Sequence, residues 1–174
     1  MKVIVPCDYE QTKKAVIASA DIPGPCIVRF GREKVPVITT NETPFKIGKG
    51  QIYLEGNDAT IFACGVMVYE SLIAAQKLMN LGINTRVVNI HTIKPIDKDI
   101  IIQCAKETGC IVTAEEHQIM AGFGSAIAEI VSQYSPVPLK MVGVKDTFGE
   151  SGAPNDLMKA YGLTHEEIIK AVKE

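Results

Sequence analysis

The stretch from Asp58 to Ile90 reads DATIFACGVMVYESLIAAQKLMNLGINTRVVNI. Ala59 to Ala63 is a short apolar run, the mark of a strand buried on both faces. Gly65 turns it into a helix predicted over Val66–Leu81, where Val68, Leu72, Ala75 and Met79 recur at helical spacing. Gly82 follows as a left-handed stop. Asn84–Ile90, carrying Val87, Val88 and Ile90, is the next strand. Strand, helix and strand joined by short turns make one unit of a parallel sheet.

The same alternation continues downstream. Pro95 and Asp97 start a helix that runs to Thr108, and Cys110–Thr113 is a strand. Gly122-Phe123-Gly124-Ser125 opens a helix through Ser132, and Pro138–Val144 is a further strand. Asp156–Tyr161 is a short helix closed by Gly162. Thr164-His165-Glu166-Glu167 is a capping box for a last helix whose apolar face is Ile168, Ile169 and Val172.

Upstream, Lys2–Val5 is a strand, Asp8 a candidate N-cap, and Glu10–Ala20 a helix. Pro23-Gly24-Pro25 breaks the chain before a strand at Cys26–Phe30, ended by Gly31. Residues 33–58 carry little period beyond a short strand at Gln51–Leu54 and read as a linker. The fold class is therefore α/β. A doubly wound, mostly parallel sheet over residues 49–174 is preceded by a β-α-β piece and linker in residues 1–48. That piece has one helix to cover strands that need cover on both faces, so it cannot make a core alone.

Composition narrows the function classes. Eighteen Lys and Arg stand against 20 Asp and Glu, a net charge of −2, which lacks the basic field of a nucleic-acid binder. Ten Phe and Tyr and no Trp argue against base-stacking platforms. The longest apolar stretch, near Ile61–Val68, is far short of the ~20 residues that span a bilayer. Pro6, Cys7 and Asp8 interrupt the N-terminal apolar run, so no secretory signal is expected. The five cysteines, at 7, 26, 64, 104 and 110, form no CxxC and mostly sit in apolar runs. They read as buried thiols in a reducing cytoplasm. The three histidines have no zinc spacing, and no metal site is expected.

Four stretches invite a chemical reading. Gly122-Phe123-Gly124 lacks the third glycine of a dinucleotide fingerprint, since position 127 is Ile, and reads as a helix start needing close backbone approach. Glu115-Glu116-His117 lies at a strand's carboxyl end, where α/β sheets hold ligands. It offers acid–base groups without a partner nucleophile, and a structural role leads. Arg29 and Arg32 flank Phe30-Gly31 at another strand end. A guanidinium pair there suits a phosphate or carboxylate, and two solvated arginines fit as well. Phe148-Gly149-Glu150-Ser151-Gly152 is not the Gly-x-Ser-x-Gly elbow and reads as a tight packed loop. No catalytic set is complete.

Taken in order, the motifs resemble the C-terminal part of a transketolase, and in particular the C-terminal subunit of split, two-chain members. They are Pro6-Cys7-Asp8, Val28-Arg29-Phe30-Gly31-Arg32, Ala63-Cys64-Gly65 and Ile93-Lys94-Pro95-Ile96-Asp97. Ala114-Glu115-Glu116-His117, Gly122-Phe123-Gly124-Ser125-Ala126, Asp146-x-Phe148-Gly149-x-Ser151-Gly152 and Tyr161-Gly162-Leu163-Thr164 complete them. Phe148-Gly-x-Ser-Gly favours transketolase over deoxyxylulose-phosphate synthase and the 2-oxoacid dehydrogenase beta subunit, and a stand-alone interaction module is a further alternative.

The resemblance implies transfer of a two-carbon ketol unit between sugar phosphates with thiamine diphosphate and magnesium. It implies a cytoplasmic enzyme of the pentose phosphate pathway, a dimer with active sites between protomers. It makes residues 1–48 the tail of a pyrimidine-binding domain and residues 49–174 the C-terminal domain. The family's activating glutamate, aromatic pocket and substrate histidines lie upstream of Met1. The expectation is a fragment that binds no cofactor by itself, is inactive alone, and assembles with an N-terminal transketolase half. Arg32 matches the family arginine that binds the substrate phosphate; Arg29 has weaker support. No membrane or nucleic-acid partner is expected.

Overall fold

A computed structural model describes residues 1–174 as eight strands and six helices. β1 (Lys2–Ile4), α1 (Tyr9–Ala20) and β2 (Cys26–Val28) come first. Next are β3 (Gln51–Leu54), β4 (Ala59–Ala63), α2 (Met67–Met79), β5 (Thr85–Asn89), β6 (Thr92–Lys94) and α3 (Lys98–Thr108). β7 (Ile111–Gln118), α4 (Phe123–Tyr134), β8 (Leu139–Val144), α5 (Pro154–Ala160) and α6 (His165–Lys173) complete the chain.

The main sheet has the order β3-β5-β4-β7-β8. β4 pairs in parallel with β5 and β7, and β7 with β8. Only β3 runs antiparallel, against β5. All five residues of β4 are buried, and they alternate between two cores, as side chains on a strand must. Ile61 and Ala63 pack with Met67, Val68 and Ala74 of α2 and Ile168 of α6. Phe62 packs on the other face with Ile101 and Cys104 of α3 and Phe123 and Ile127 of α4. The doubly wound, mostly parallel α/β sheet expected from the sequence is the one that forms.

The first unit gains a strand from an unforeseen place. β6 pairs antiparallel with β1, giving a second sheet of order β2-β1-β6. Val5 N donates to His91 O at 2.7 Å, and the Val5 side chain joins the α3/α4 core. β6 is three residues long, too short for a legible period.

Asp8 caps α1 as expected, its Oδ1 accepting from Gln11 N at 2.9 Å. The same buried carboxylate accepts from Ile38 N at 2.8 Å, Thr39 N at 2.6 Å and Thr39 Oγ1 at 2.7 Å. Behind it, Asn89 Nδ2 donates to Gln11 Oε1 and to Tyr53 OH, both at 3.0 Å. These bonds knit α1 to β3 and β5.

Three local expectations are corrected. α3 begins at Lys98 rather than at Pro95. Asp97 stands at its N-cap position, with its carboxylate bound to Gly50 N at 3.0 Å and Lys49 Nζ at 3.2 Å and not to the helix. Thr164 forms no side-chain cap on α6; Glu70 of α2 accepts from His165 N at 2.9 Å and lies 2.8 Å from His165 Nδ1. The 148–152 loop is exposed rather than packed, with Phe148 98% accessible. All five cysteines are free; Cys7, Cys64 and Cys104 are buried and Cys26 and Cys110 half-buried. No helix is long and apolar enough to cross a membrane.

Candidate functional site

The carboxyl ends of β2, β4, β7 and β8 bring together most of the residues singled out above. β2 stops at Val28, but Arg29 N still donates to Ile4 O at 2.8 Å and keeps step with β1. The Arg29 guanidinium crosses to β7 and donates from Nη2 to the backbone carbonyl of Glu116 at 2.8 Å. Arg32, three residues on, is exposed and makes no hydrogen bond or ion pair within the chain. The two arginines therefore do different things. One is tied to the protein, and the other is a free cation on a loop.

Glu115-Glu116-His117 lies inside β7 rather than beyond it. Glu115 is buried; its Oε2 accepts from Phe123 N at 2.7 Å and its Oε1 from Gly124 N at 2.8 Å. The carboxylate thus satisfies the open N–H groups at the start of α4, where the helix dipole favours negative charge. Burial nevertheless pushes its pKa up, against the pull of the Gly124 and Phe123 amides and of His117 and Arg29. Gly122 is required by this contact, since a Cβ there would lie 2.5 Å from Glu115 Oε2. His117 is half exposed; its Nδ1 lies 3.0 Å from Gln118 O and 3.8 Å from Glu115 Oε2. Through Glu115 the triplet is an anchor for α4.

Sequence reasoning missed the backbone acceptor at Glu116, because a carbonyl carries no residue-type signal. It also missed Gly143, for which a signal existed: a lone glycine inside a strand pattern marks a bulge. A Cβ at Gly143 would lie 2.9 Å from His117 O and 3.1 Å from Glu115 Cγ.

The edge offers an anion one free guanidinium, on Arg32. No group of three or more His, Cys, Asp or Glu is placed to hold a metal ion.

Comparison with known proteins gives a consistent answer. The model of the family described as transketolase, C-terminal domain, matches residues 48–168. A 6-deoxy-6-sulfo-D-fructose transketolase subunit from Clostridium sp. (strain MSTE9) is 40% identical across 100% of this chain and 54% of its own length. An apulose-4-phosphate transketolase subunit from Phocaeicola vulgatus is 38% identical across 100% of this chain and 56% of its own. The chain thus spans about half the length of these curated relatives. A solved split-gene transketolase, described as an inactive beta4 tetramer, superposes with a TM-score of 0.96 at 43% identity, over 99% of this chain and 57% of that one. These matches favour transketolase over the related enzymes and the stand-alone module weighed from the sequence. The chain belongs to the transketolase C-terminal domain family.

Proposed function

We propose that this chain is the C-terminal part of a transketolase that transfers a two-carbon ketol unit between sugar phosphates, and that it works only with a polypeptide supplying the N-terminal half. The observation that carries this is the half-built sheet β2-β1-β6. β2 is its open edge, with Ile27 46% exposed. α1 turns a second apolar stripe outward, with Tyr9 67%, Val16 50% and Ile17 60% exposed at helical spacing. Parallel strands and a two-faced helix call for further β-α units. On this reading residues 1–48 are the tail of the pyrimidine-binding domain, and residues 49–174 are the C-terminal domain.

Arg32 holds the terminal anion of the sugar, and Arg29, its guanidinium on the Glu116 carbonyl, serves that loop from its near end. The relatives' names carry a phosphate or a sulfo group at that end of the sugar, two anions of like demand on a guanidinium. Thiamine diphosphate and magnesium supply the carbanion chemistry in the full enzyme and are held by the remainder of the assembly. The assembly is at least dimeric and cytoplasmic, acting in the pentose phosphate pathway. The similar split-gene chain, inactive as a tetramer of its own kind, supports self-association of this half without catalysis.

The test is reconstitution. The chain is mixed with thiamine diphosphate, magnesium, xylulose 5-phosphate and ribose 5-phosphate, with and without the N-terminal polypeptide. Turnover with both polypeptides and none with this chain alone is expected. Turnover by the chain alone overturns the proposal.

A further inference from the structure

The loop that carries Arg32 has almost nothing of its own to hold it. No backbone hydrogen bond involves residues 30–37, and no side-chain hydrogen bond reaches them. The loop is pinned at its two ends. On the far side, Asp8 grips Ile38 N and Thr39 N. On the near side, Arg29 grips the carbonyl of Glu116.

That carbonyl is available because β7 is deformed there. Its ladder with β8 pairs Ala114 with Val142 and then Gln118 with Val144, so Glu115, Glu116 and His117 stand opposite the single residue Gly143. On its other side, β7 leaves β4 after the Ala63–Ala114 pair. Glu116 C=O therefore lies outside both ladders and can face β2. A bulge of this kind re-aims backbone groups at the rim of a sheet.

Three contacts hold the deformation in shape. The Glu115 carboxylate is fixed on the amides of Phe123 and Gly124. Gly143 leaves the space that a Cβ would take from His117 O and the Glu115 side chain. Beyond the bulge, Gln118 Nε2 donates to Asp146 Oδ1 at 3.0 Å, and Asp146 N returns a bond to Gln118 Oε1 at 2.8 Å.

We propose that Arg29 is a positioning residue: the β7 bulge of the C-terminal domain, through the Glu116 carbonyl and the Arg29 guanidinium, sets the place of Arg32 and hence the affinity for the anionic end of the substrate. This rests on Arg32 being the anion ligand. It gives the Glu115-Glu116 pair a part in substrate binding without contact to substrate. It also gives the C-terminal domain a duty beyond packing.

Two measurements test it. In the reconstituted enzyme, Arg32→Ala, Arg29→Ala, Arg29→Lys and Gly143→Ala are assayed at saturating xylulose 5-phosphate with ribose 5-phosphate and with glycolaldehyde, an acceptor without an anionic group. Arg29→Ala and Gly143→Ala are expected to raise KM for the phosphorylated acceptor about tenfold, with kcat and the glycolaldehyde reaction within about twofold. Arg29→Lys, which keeps a donor, recovers part of the loss. If Arg32→Ala raises KM but Arg29→Ala and Gly143→Ala do not, the positioning role is overturned and the Arg32 assignment stands. If Arg29→Ala matches Arg32→Ala while Gly143→Ala is silent, Arg29 is a direct ligand and the proposal also falls. If Arg32→Ala has no effect, the anion assignment itself fails.

The second measurement needs only the full chain. It has no Trp, so Phe30→Trp provides a single fluorescent reporter on the loop. Adding Arg29→Ala is expected to lower its limiting anisotropy, whereas adding Arg32→Ala leaves it unchanged. An unaltered anisotropy with Arg29→Ala overturns the tether.

Discussion

The Asp8 carboxylate holds Thr39 with two bonds, Oδ2 on the backbone N–H at 2.6 Å and Oδ1 on the hydroxyl at 2.7 Å. Asp8 is 2% exposed and Thr39 4%. A local helix cap has thus become a long-range clasp, because the same carboxylate also serves Gln11 N and Ile38 N. Asp8→Ala strands four donors at once. We expect a loss of about 3 kcal/mol or more in urea unfolding, since a hydrogen bond contributes ~1 kcal/mol net and buried donors left open are costly. Thr39→Val removes one of the four and should cost about 1 kcal/mol. An Asp8→Ala chain with unchanged stability would sink the clasp.

His91 predicts a pH dependence. It is fully buried, stacked on Phe45 at 4.4 Å between ring centroids, and Nδ1 lies 2.9 Å from Thr92 Oγ1 while Nε2 has no partner. Burial lowers its pKa from 6.5 to about 4. The fold therefore favours the neutral ring. The stability this confers is complete above pH 6.5 and is lost as pH falls through about 4, where the unfolded chain already carries the proton. The shift corresponds to about 3 kcal/mol between those limits. Unfolding of wild type and His91→Phe at pH 7 and pH 4.5 should differ, with the variant losing about 2 kcal/mol less on acidification. Equal losses in the two proteins would refute the assignment.

The outward stripe of α1 predicts an assembly phenotype without a folding phenotype. Val16 and Ile17 are 50% and 60% exposed, so Ile17→Glu should change the stability of the isolated chain by no more than ~0.5 kcal/mol. Binding to the N-terminal polypeptide, read by calorimetry, should weaken by about thirtyfold or more, as expected for a charge placed in a desolvated contact. Undiminished binding would move the interface elsewhere.

Glu115→Ala tests the anchor of α4. Removing the carboxylate leaves Phe123 N and Gly124 N without partners in a buried place, and ~1–3 kcal/mol of stability should go with it. Denaturant unfolding measures this. A neutral result would mean that the start of α4 is held by other contacts.

The main sheet was legible because β4 and β5 are buried on both faces, which writes itself into runs such as Thr60-Ile61-Phe62-Ala63 and Arg86-Val87-Val88. α1 was legible from Asp8, whose short side chain can cap. β6 was not legible: three residues ahead of Pro95 show no period, and their pairing with β1 joins positions some ninety residues apart. Asp97 and Thr164 stand at the N-cap positions of α3 and α6 without a side-chain cap, and the bonds made there reach distant groups, Gly50 and Lys49 in one case and Glu70 in the other. At the site, Arg29 and Arg32 could be found as a pair, but not told apart, because the partner of Arg29 is a main-chain oxygen.

β6 also bears on how the chain can be divided. A cut at residue 48 follows the domain seam in the sequence, yet it runs through a sheet. An excised 49–174 segment would keep β6 and lose β1, the only strand β6 pairs with. It would also empty the place of Val5 in the α3/α4 core. Such a piece would present a raw strand edge beside an apolar notch, a template for unwanted pairing between copies. For this protein, the smallest unit safe to express or to transplant carries its first strand with it.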